Sequence, residues 1–354
     1  MEPSLGLSNF MMTRMKNLRG KLEGQESFAG NEPVKSSSKE VYFCQDIRPM
    51  ILGTVCIPTP LPFLSFAASV DCFLHHDAKG LRILDVDCLW HGQNASDVCR
   101  DIAITSRMSH LKNVLKLIGC CLEYAEPVMV YEYVEEAITL DDLLSNNGYA
   151  RNSSVPWESR LRIANEIASV IVFLHSEFTT PIVFRDLHSQ KVLIDQSSGV
   201  AKLYNFSFSV PLPPGELRVE AQDSVRGTCG HPDPEYCCSG IVTQKTDVYS
   251  FGNVLLQLLT GKRAYVHDGV ITKVGETYLE SNIEECDVMD IANPDILAGE
   301  RGIHEIRQQL EDYFDLVKRC TVTNGDDRPY MIYVARELRR IEKCFRAIST
   351  PGLN

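Results

Sequence analysis

VFRDLHSQKVLI, residues 183–194, sets a charged loop between apolar ends: Val183 and Phe184 lead in, Val192 to Ile194 lead out, and Arg185, Asp186, His188 and Lys191 stand between them. Upstream, WESRLRIANEIASVIVFLHSEF (157–178) aligns Leu161, Ala164, Ile167, Ala168, Ile171 and Leu174 on one face. That spacing predicts a long, core-facing helix. Downstream, KVLI and VAKLYNF (200–206), split by the turn DQSSG, predict a small hairpin. The charged loop therefore connects a buried helix to a hairpin.

Further out, DVCRDIAITSRM (97–108) suits a helix, and VLKLIGCCLE and EPVMVYEYV suit two strands joined by a turn. TLDDLLSNN predicts a short helix, and a Pro/Gly-rich loop runs to Glu235. TDVYSFGNVLLQLLTG is apolar nearly all round, with Thr246 as N-cap and Gly261 as C-terminal stop, so it should be a buried helix. HEIRQQLEDYFDLVKRCT and YMIYVARELRRIEKCF are two more helices, and with the preceding one they are expected to complete the chain. Residues 1–40 have the composition of a mobile tail. The uncharged run MILGTVCIPTPLPFLSFAASV (50–70) has roughly the length that spans a bilayer, but Pro58, Pro60 and Pro62 would each break a helix there. It reads as buried or irregular chain.

The 354 residues carry 35 basic and 47 acidic side chains, a net charge of -12, which argues against electrostatic attraction to nucleic acid or anionic lipid. Thirteen scattered cysteines lack the spaced framework of a small secreted scaffold and fit a reducing compartment. CGHPDPEYCC groups Cys229, His231, Cys237 and Cys238, but adjacent cysteines make poor chelate geometry and no second C-x-x-C knuckle exists, so no metal is expected.

The order of elements and three motifs resemble a protein kinase. FRDLHSQKVL is similar to the catalytic-loop pattern H-R-D-L-x-x-x-N, YNFS to the D-F-G triplet, and DPEY to the A-P-E end of the activation segment. The phrasings GTCGHPDPEY, KTDVYSFG and VPWESRLRIA resemble plant receptor-like kinases of the wall-associated branch, and within it the ZRK-type pseudokinases. The resemblance implies an α+β, two-lobed kinase-like fold. Its parts would be a mobile tail (1–40), a degenerate N-lobe (41–135) rich in strands with one helix, a helical C-lobe (136–345) and a C-terminal tail (346–354).

Kinase chemistry needs parts that this chain lacks. No two glycines are separated by a single residue, so a phosphate-covering Gly-rich loop is absent. No lysine stands between Lys79 and Lys112; LRILDVDCL, where the lysine strand should fall, offers Asp85 and Asp87, and Asp101 takes the position of the partner glutamate. Carboxylates repel a polyphosphate. In the metal site the catalytic-loop Asn is replaced by Lys191 and the D-F-G Asp by Asn205, with Ser207 in place of its Gly. An ammonium has no lone pair to give a hard cation; Lys191 could instead mimic the ion and tether Asn205 or a nearby carboxylate. Phe184 replaces the loop His and His188 the phosphate-contacting Lys, leaving Asp186 aligned with the general base but with nothing positioned to accelerate.

What the resemblance keeps is architectural. Arg185 persists in the loop, Glu235 should pair with Arg328 to anchor the activation segment, and Asp247 should accept hydrogen bonds from the loop backbone. Phe184 and Phe206 should stack in an apolar spine, and Tyr131 takes the gatekeeper position. No cofactor is expected. The resemblance implies a catalytically inactive adaptor that links a coiled-coil NLR immune receptor to receptor-like cytoplasmic kinases, in the cytoplasm or at the plasma membrane through partners. The alternative is an atypical Ser/Thr protein kinase using ATP and Mg²⁺, with Asp85, Asp87 or Asp195 recruiting the metal.

Overall fold

A computed structural model of the chain describes residues 74–76, 82–84, 95–121, 128–132, 134, 137–145, 155–221, 225–227, 233–262, 264–267, 270–274, 281–297 and 303–349. The sequence readings for 1–40, for 50–70, for Asp85 and Asp87, for Cys229 and His231, and for 350–354 lie outside these residues. The fold class is α+β, and the chain divides into two compact units: residues 1–110 with 116–133, and 111–115 with 134–354.

In the first unit, β1 (Leu74–His76) and β2 (Arg82–Leu84) pair antiparallel, α1 runs over Ala95–Met108, and β3 (Leu117–Cys121) pairs antiparallel with β4 (Val128–Tyr131). The helix buries Val98, Ile102, Ile104 and Met108, a helical-period set.

The second unit begins with β5 (Ala137–Thr139) and α2 (Leu140–Ser145), then the long α3 (Trp157–Ser176), which buries the whole predicted stripe. β6 (Ile182–Val183) leads into the charged loop, a 3-10 turn covers Ser189–Lys191, and β7 (Val192–Asp195) forms the predicted hairpin with β8 (Ala201–Leu203). β5 adds to the other edge of β7, giving the order β5-β7-β8. Residues 111–115 go with this unit for a visible reason: the Leu115 amide donates to Leu203 O at 3.0 Å, and the Leu203 amide to Asn113 O at 2.8 Å.

The region read as a single loop up to Glu235 is more ordered than expected. β9 (Val210–Pro211) pairs with β6, and β10 (Arg218–Glu220) pairs with β11 (Ile241–Thr243), flanking the short helix α4 (Pro234–Ser239). The expected N-cap of the next helix is corrected. α5 covers Gln244–Thr260 and its cap is Thr243, whose side chain accepts from the Lys245 amide at 3.1 Å, while the Thr246 hydroxyl reaches back to accept the Thr243 amide at 3.2 Å. This is a capping box, so Thr246 is its third member and not the cap. Gly261, at φ 67°, stops the helix in the left-handed region that favours glycine.

Beyond α5 the structure adds elements with no clear periodic signal: β12 (Ala264–His267), β13 (Val270–Val274), β14 (Ser281–Asn282), α6 (Val288–Ile291) and α7 (Pro294–Leu297). The two expected long helices follow as α8 (Ile303–Thr321) and α9 (Met331–Ser349). Among the described residues no helix is long and apolar enough to cross a membrane.

Every residue of α5 from Thr246 to Thr260 is buried, and its closest neighbour is α8. That approach depends on Gly252, where an added Cβ would lie 2.8 Å from the Cβ of Cys320 and 2.6 Å from Cγ2 of Thr321. Gly252→Ala is therefore expected to destabilise the chain by about 1–3 kcal/mol through overpacking, against the small gain in helix propensity. Urea denaturation checks this, and an unchanged midpoint would refute the close packing.

Candidate functional site

The charged loop is fixed first by its backbone. Asp247, in the first turn of α5 and fully buried, accepts the amides of Phe184 and Arg185, each at 2.8 Å. His175 Nε2, from the last turn of α3, lies 2.8 Å from the same carboxylate. Three converging partners hold Arg185 at φ 70°, a conformation that costs a non-glycine residue roughly 1–3 kcal/mol. The resemblance implies Asp247 in this role. His175 is a partner that sequence reasoning misses; its only signal is a polar residue closing the apolar helix 157–178.

With the backbone set, Asp186 turns into a buried polar cluster. Its Oδ2 lies 3.4 Å from Lys191 Nζ, and its Oδ1 lies 3.7 Å from His188 Nε2. The Asp186, His188 and Lys191 side chains are 4%, 4% and 11% exposed. Of the two tethers open to Lys191, the structure supplies the carboxylate. At 3.4 Å and an effective dielectric of about 20, this attraction is roughly 5 kcal/mol before desolvation of both charges is subtracted. The residue aligned with the general base is thus neutralised from within its own loop.

Asn205 is also committed locally. Its Oδ1 accepts the Ser207 hydroxyl at 2.5 Å and the Ser207 amide at 3.4 Å. Its φ is 63°, where the short amide side chain is better tolerated than most. Beside it, Phe184 and Phe206 meet edge to face with centroids 5.3 Å apart, both fully buried. Phe184, in place of a polar loop residue, therefore extends the core.

These residues do not fit a magnesium ion. A hard cation wants several anionic oxygens converging on it; here an ammonium takes the place of one ligand, a neutral amide turned toward Ser207 takes another, and Asp186 already faces two basic side chains. Asp195, the described member of the relocated metal set, does not supply the want. It accepts the hydroxyls of Ser197 and Ser198, each at 2.6 Å, and their amides at 3.0 and 3.3 Å. The Ser197 and Ser198 hydroxyls are the main reason its carboxyl is held below the usual aspartate range. It is the pivot of the DQSSG turn.

In the first unit, Asp101 is buried on α1 and accepts the Thr105 hydroxyl at 2.8 Å, one turn along the same helix. The Tyr131 hydroxyl stands 3.5 Å from its other oxygen and 3.6 Å from Met129 Sδ. The carboxylate at the glutamate position is thus served by hydroxyls.

The anchor of the activation segment uses two carboxylates, and the closer one is Asp233. Arg328, whose side chain is fully buried, makes a two-pronged pair with Asp233: Nη1 to Oδ2 at 2.7 Å and Nη2 to Oδ1 at 2.9 Å. It also donates to Val322 O and Thr323 O and lies 4.8 Å over the Tyr249 ring. Glu235, the expected partner, also pairs with Arg328, but at 4.0 Å and with a half-exposed side chain, and it accepts the Gly325 amide at 2.7 Å. The reason is helical geometry. Asp233 is the N-cap of α4, so its carboxylate is held where it can meet both the Glu235 amide and the guanidinium, while Glu235 lies further round the turn. Burial pushes the Asp233 carboxyl above the ordinary aspartate range, opposed by the hydrogen bonds and charge of Arg328.

Comparison with known proteins gives a consistent match. The protein kinase domain family matches residues 86–337. The Arabidopsis thaliana proteins named non-functional pseudokinase ZED1 and serine/threonine-protein kinase ZRK1 are 39% and 38% identical to the chain. The aligned residues cover 72% and 70% of this chain, and 76% and 69% of the relatives. Wall-associated receptor kinase 3 of the same plant is 35% identical over 69% of this chain and 32% of its own length.

Proposed function

The chain belongs to the protein kinase family, on its ZRK-type pseudokinase branch, and we propose that it serves plant immune signalling as a catalytically inactive adaptor. In this reading it connects a coiled-coil NLR immune receptor to receptor-like cytoplasmic kinases in the cytoplasm, reaching the plasma membrane through its partners. The observation that carries the inactive reading is the Asp186 carboxylate held by Lys191 at 3.4 Å. A carboxylate so paired is a weaker base, and an Asn205 turned to Ser207 offers no anionic seat for metal-bound phosphate. An adaptor needs a fixed surface, and the retained contacts around Asp247 and Arg328 maintain one.

The similarity to a relative named as a serine/threonine-protein kinase supports a second reading, residual ATP-dependent phosphotransfer. Thermal shift with ATP, with and without magnesium, separates the two. The adaptor reading expects no magnesium-dependent stabilisation. A magnesium-dependent rise in Tm that Asn205→Ala abolishes would sink it. For the partners, co-purification of the intact chain from plant tissue should recover a coiled-coil NLR and a receptor-like cytoplasmic kinase; recovery of neither would remove the adaptor role.

A further inference from the structure

We propose that the solvent face of α9 is a docking surface for an acidic polypeptide segment that carries one apolar residue at its end. The helix has two unlike faces. Met331, Val334, Ala335, Leu338 and Ile341 are buried and fix its orientation on the second unit. On the other side, Arg336, Arg339 and Lys343 follow the exposed Ile332 by four, seven and eleven residues, all four exposed. At 1.5 Å per residue and 3.6 residues per turn, this spacing places them in one line about 17 Å long.

The three cations are unsatisfied: among the described residues none makes an ion pair or hydrogen bond. Basic residues nearby behave differently. Arg340, on the adjoining row, holds Asp312 at 2.7 Å and Glu337 at 2.8 Å, and Arg307 holds Asp287 at 2.6 Å and Glu311 at 2.9 Å. The carboxylates that α9 itself offers are engaged as well, Glu337 by Arg340 and Glu342 by the Asn165 amide at 3.2 Å. In a chain of net charge -12, an ordinary solvated helix face would interleave acidic side chains. A line of three uncompensated cations is the complement of a line of carboxylates.

The start of the helix is apolar surface, which meets the cationic line at Ile332. Tyr330, Ile332 and Tyr333 are 40%, 57% and 61% exposed, three of the most exposed large apolar side chains among the described residues. Beside them opens a cavity of about 160 Å³ lined by Val172, His175, Tyr330, Met331 and Ile332, with room for one aliphatic side chain. Apolar socket and cationic line are contiguous along one helix, so a single segment can engage both. An acidic polypeptide suits this surface better than an anionic bilayer. Its carboxylates can be confined to the stripe, whereas a bilayer also meets the repulsion of the remaining acidic surface.

The test uses the full chain and a fluorescein-labelled synthetic helix bearing leucine and then glutamates four, seven and eleven residues later, read by anisotropy at low salt. Saturable binding is expected. It should weaken at least tenfold in Arg336→Glu/Arg339→Glu/Lys343→Glu, and again in Ile332→Asp, with Tm unchanged because the substituted side chains are exposed. A peptide with lysines in place of the glutamates should bind the triple variant in preference to the original chain. Absence of saturable binding, or equal affinity for the triple variant, would overturn the proposal. So would co-sedimentation with phosphatidylserine vesicles that the triple variant loses while peptide binding is unaffected, which would assign the stripe to a membrane.

Discussion

Arg328→Ala is expected to lose about 3–5 kcal/mol of folding stability in urea denaturation, because it strands a buried carboxylate. Asp233→Ala should lose a similar amount, by stranding a guanidinium whose other donors already face Val322 O and Thr323 O. Glu235→Ala should cost only about 1 kcal/mol, since that side chain is half exposed and contributes one hydrogen bond to the Gly325 amide. Arg328→Lys should be far from neutral: a point charge cannot reproduce the two-pronged contact at 2.7 and 2.9 Å or the packing over Tyr249.

A double variant separates the worth of the pair from the cost of breaking it. Both charges give up hydration when buried, and their contacts do little more than offset that cost, so the pair gains little over having neither charge. Asp233→Leu with Arg328→Met should therefore be less unstable than either single alanine variant. If the double variant lost the sum of both, the pair would be stabilising in its own right. If Glu235→Ala lost as much as Asp233→Ala, the assignment of Asp233 as the main partner would be wrong.

This pair marks the boundary of what the sequence makes legible. DPEY presents two carboxylates two residues apart, and motif resemblance selects the second. Only the capping geometry of a six-residue helix decides which one faces the core. The same limit explains Thr243 and Thr246: both threonines suit a cap, and the box uses both in roles that spacing alone leaves open. β10 and β11 are hidden in the sequence because each is three residues long and pairs across a long stretch of chain, so neither carries a period of its own. By contrast α3, α5, α8 and α9 are legible because burial over four or more turns writes a strong apolar pattern. In the site, the losses at Lys191, Asn205 and Ser207 can be read directly from residue chemistry. The new contacts that replace the lost ones cannot, because they depend on side-chain direction.

The second large effect is expected at Lys191. Lys191→Met removes the ammonium 3.4 Å from a carboxylate only 4% exposed, leaving His188 at 3.7 Å as its remaining basic neighbour in the loop. A loss of about 3 kcal/mol is expected, at the lower end for a broken buried pair because the Lys191 side chain keeps some solvent contact. Asp186→Asn in the same chain should recover most of that loss, since no buried charge then remains uncompensated. A mere packing defect at position 191 would show no such recovery. The counter-experiment restores oxygen ligands: Lys191→Asn with Asn205→Asp removes the internal cation and places two carboxylates and an amide in the loop and its neighbour. The side chain at 205 can still accept from Ser207, and aspartate tolerates φ 63° nearly as well as asparagine. This variant should acquire a magnesium-dependent rise in Tm that the original chain does not show, while phosphotransfer stays absent for want of the strand lysine and the Gly-rich loop. A Lys191→Met variant as stable as the original, or a restored variant indifferent to magnesium, would mean that Lys191 is not standing in for the metal. Either result would return Asp186 to an ordinary loop carboxylate whose charge the fold tolerates without help.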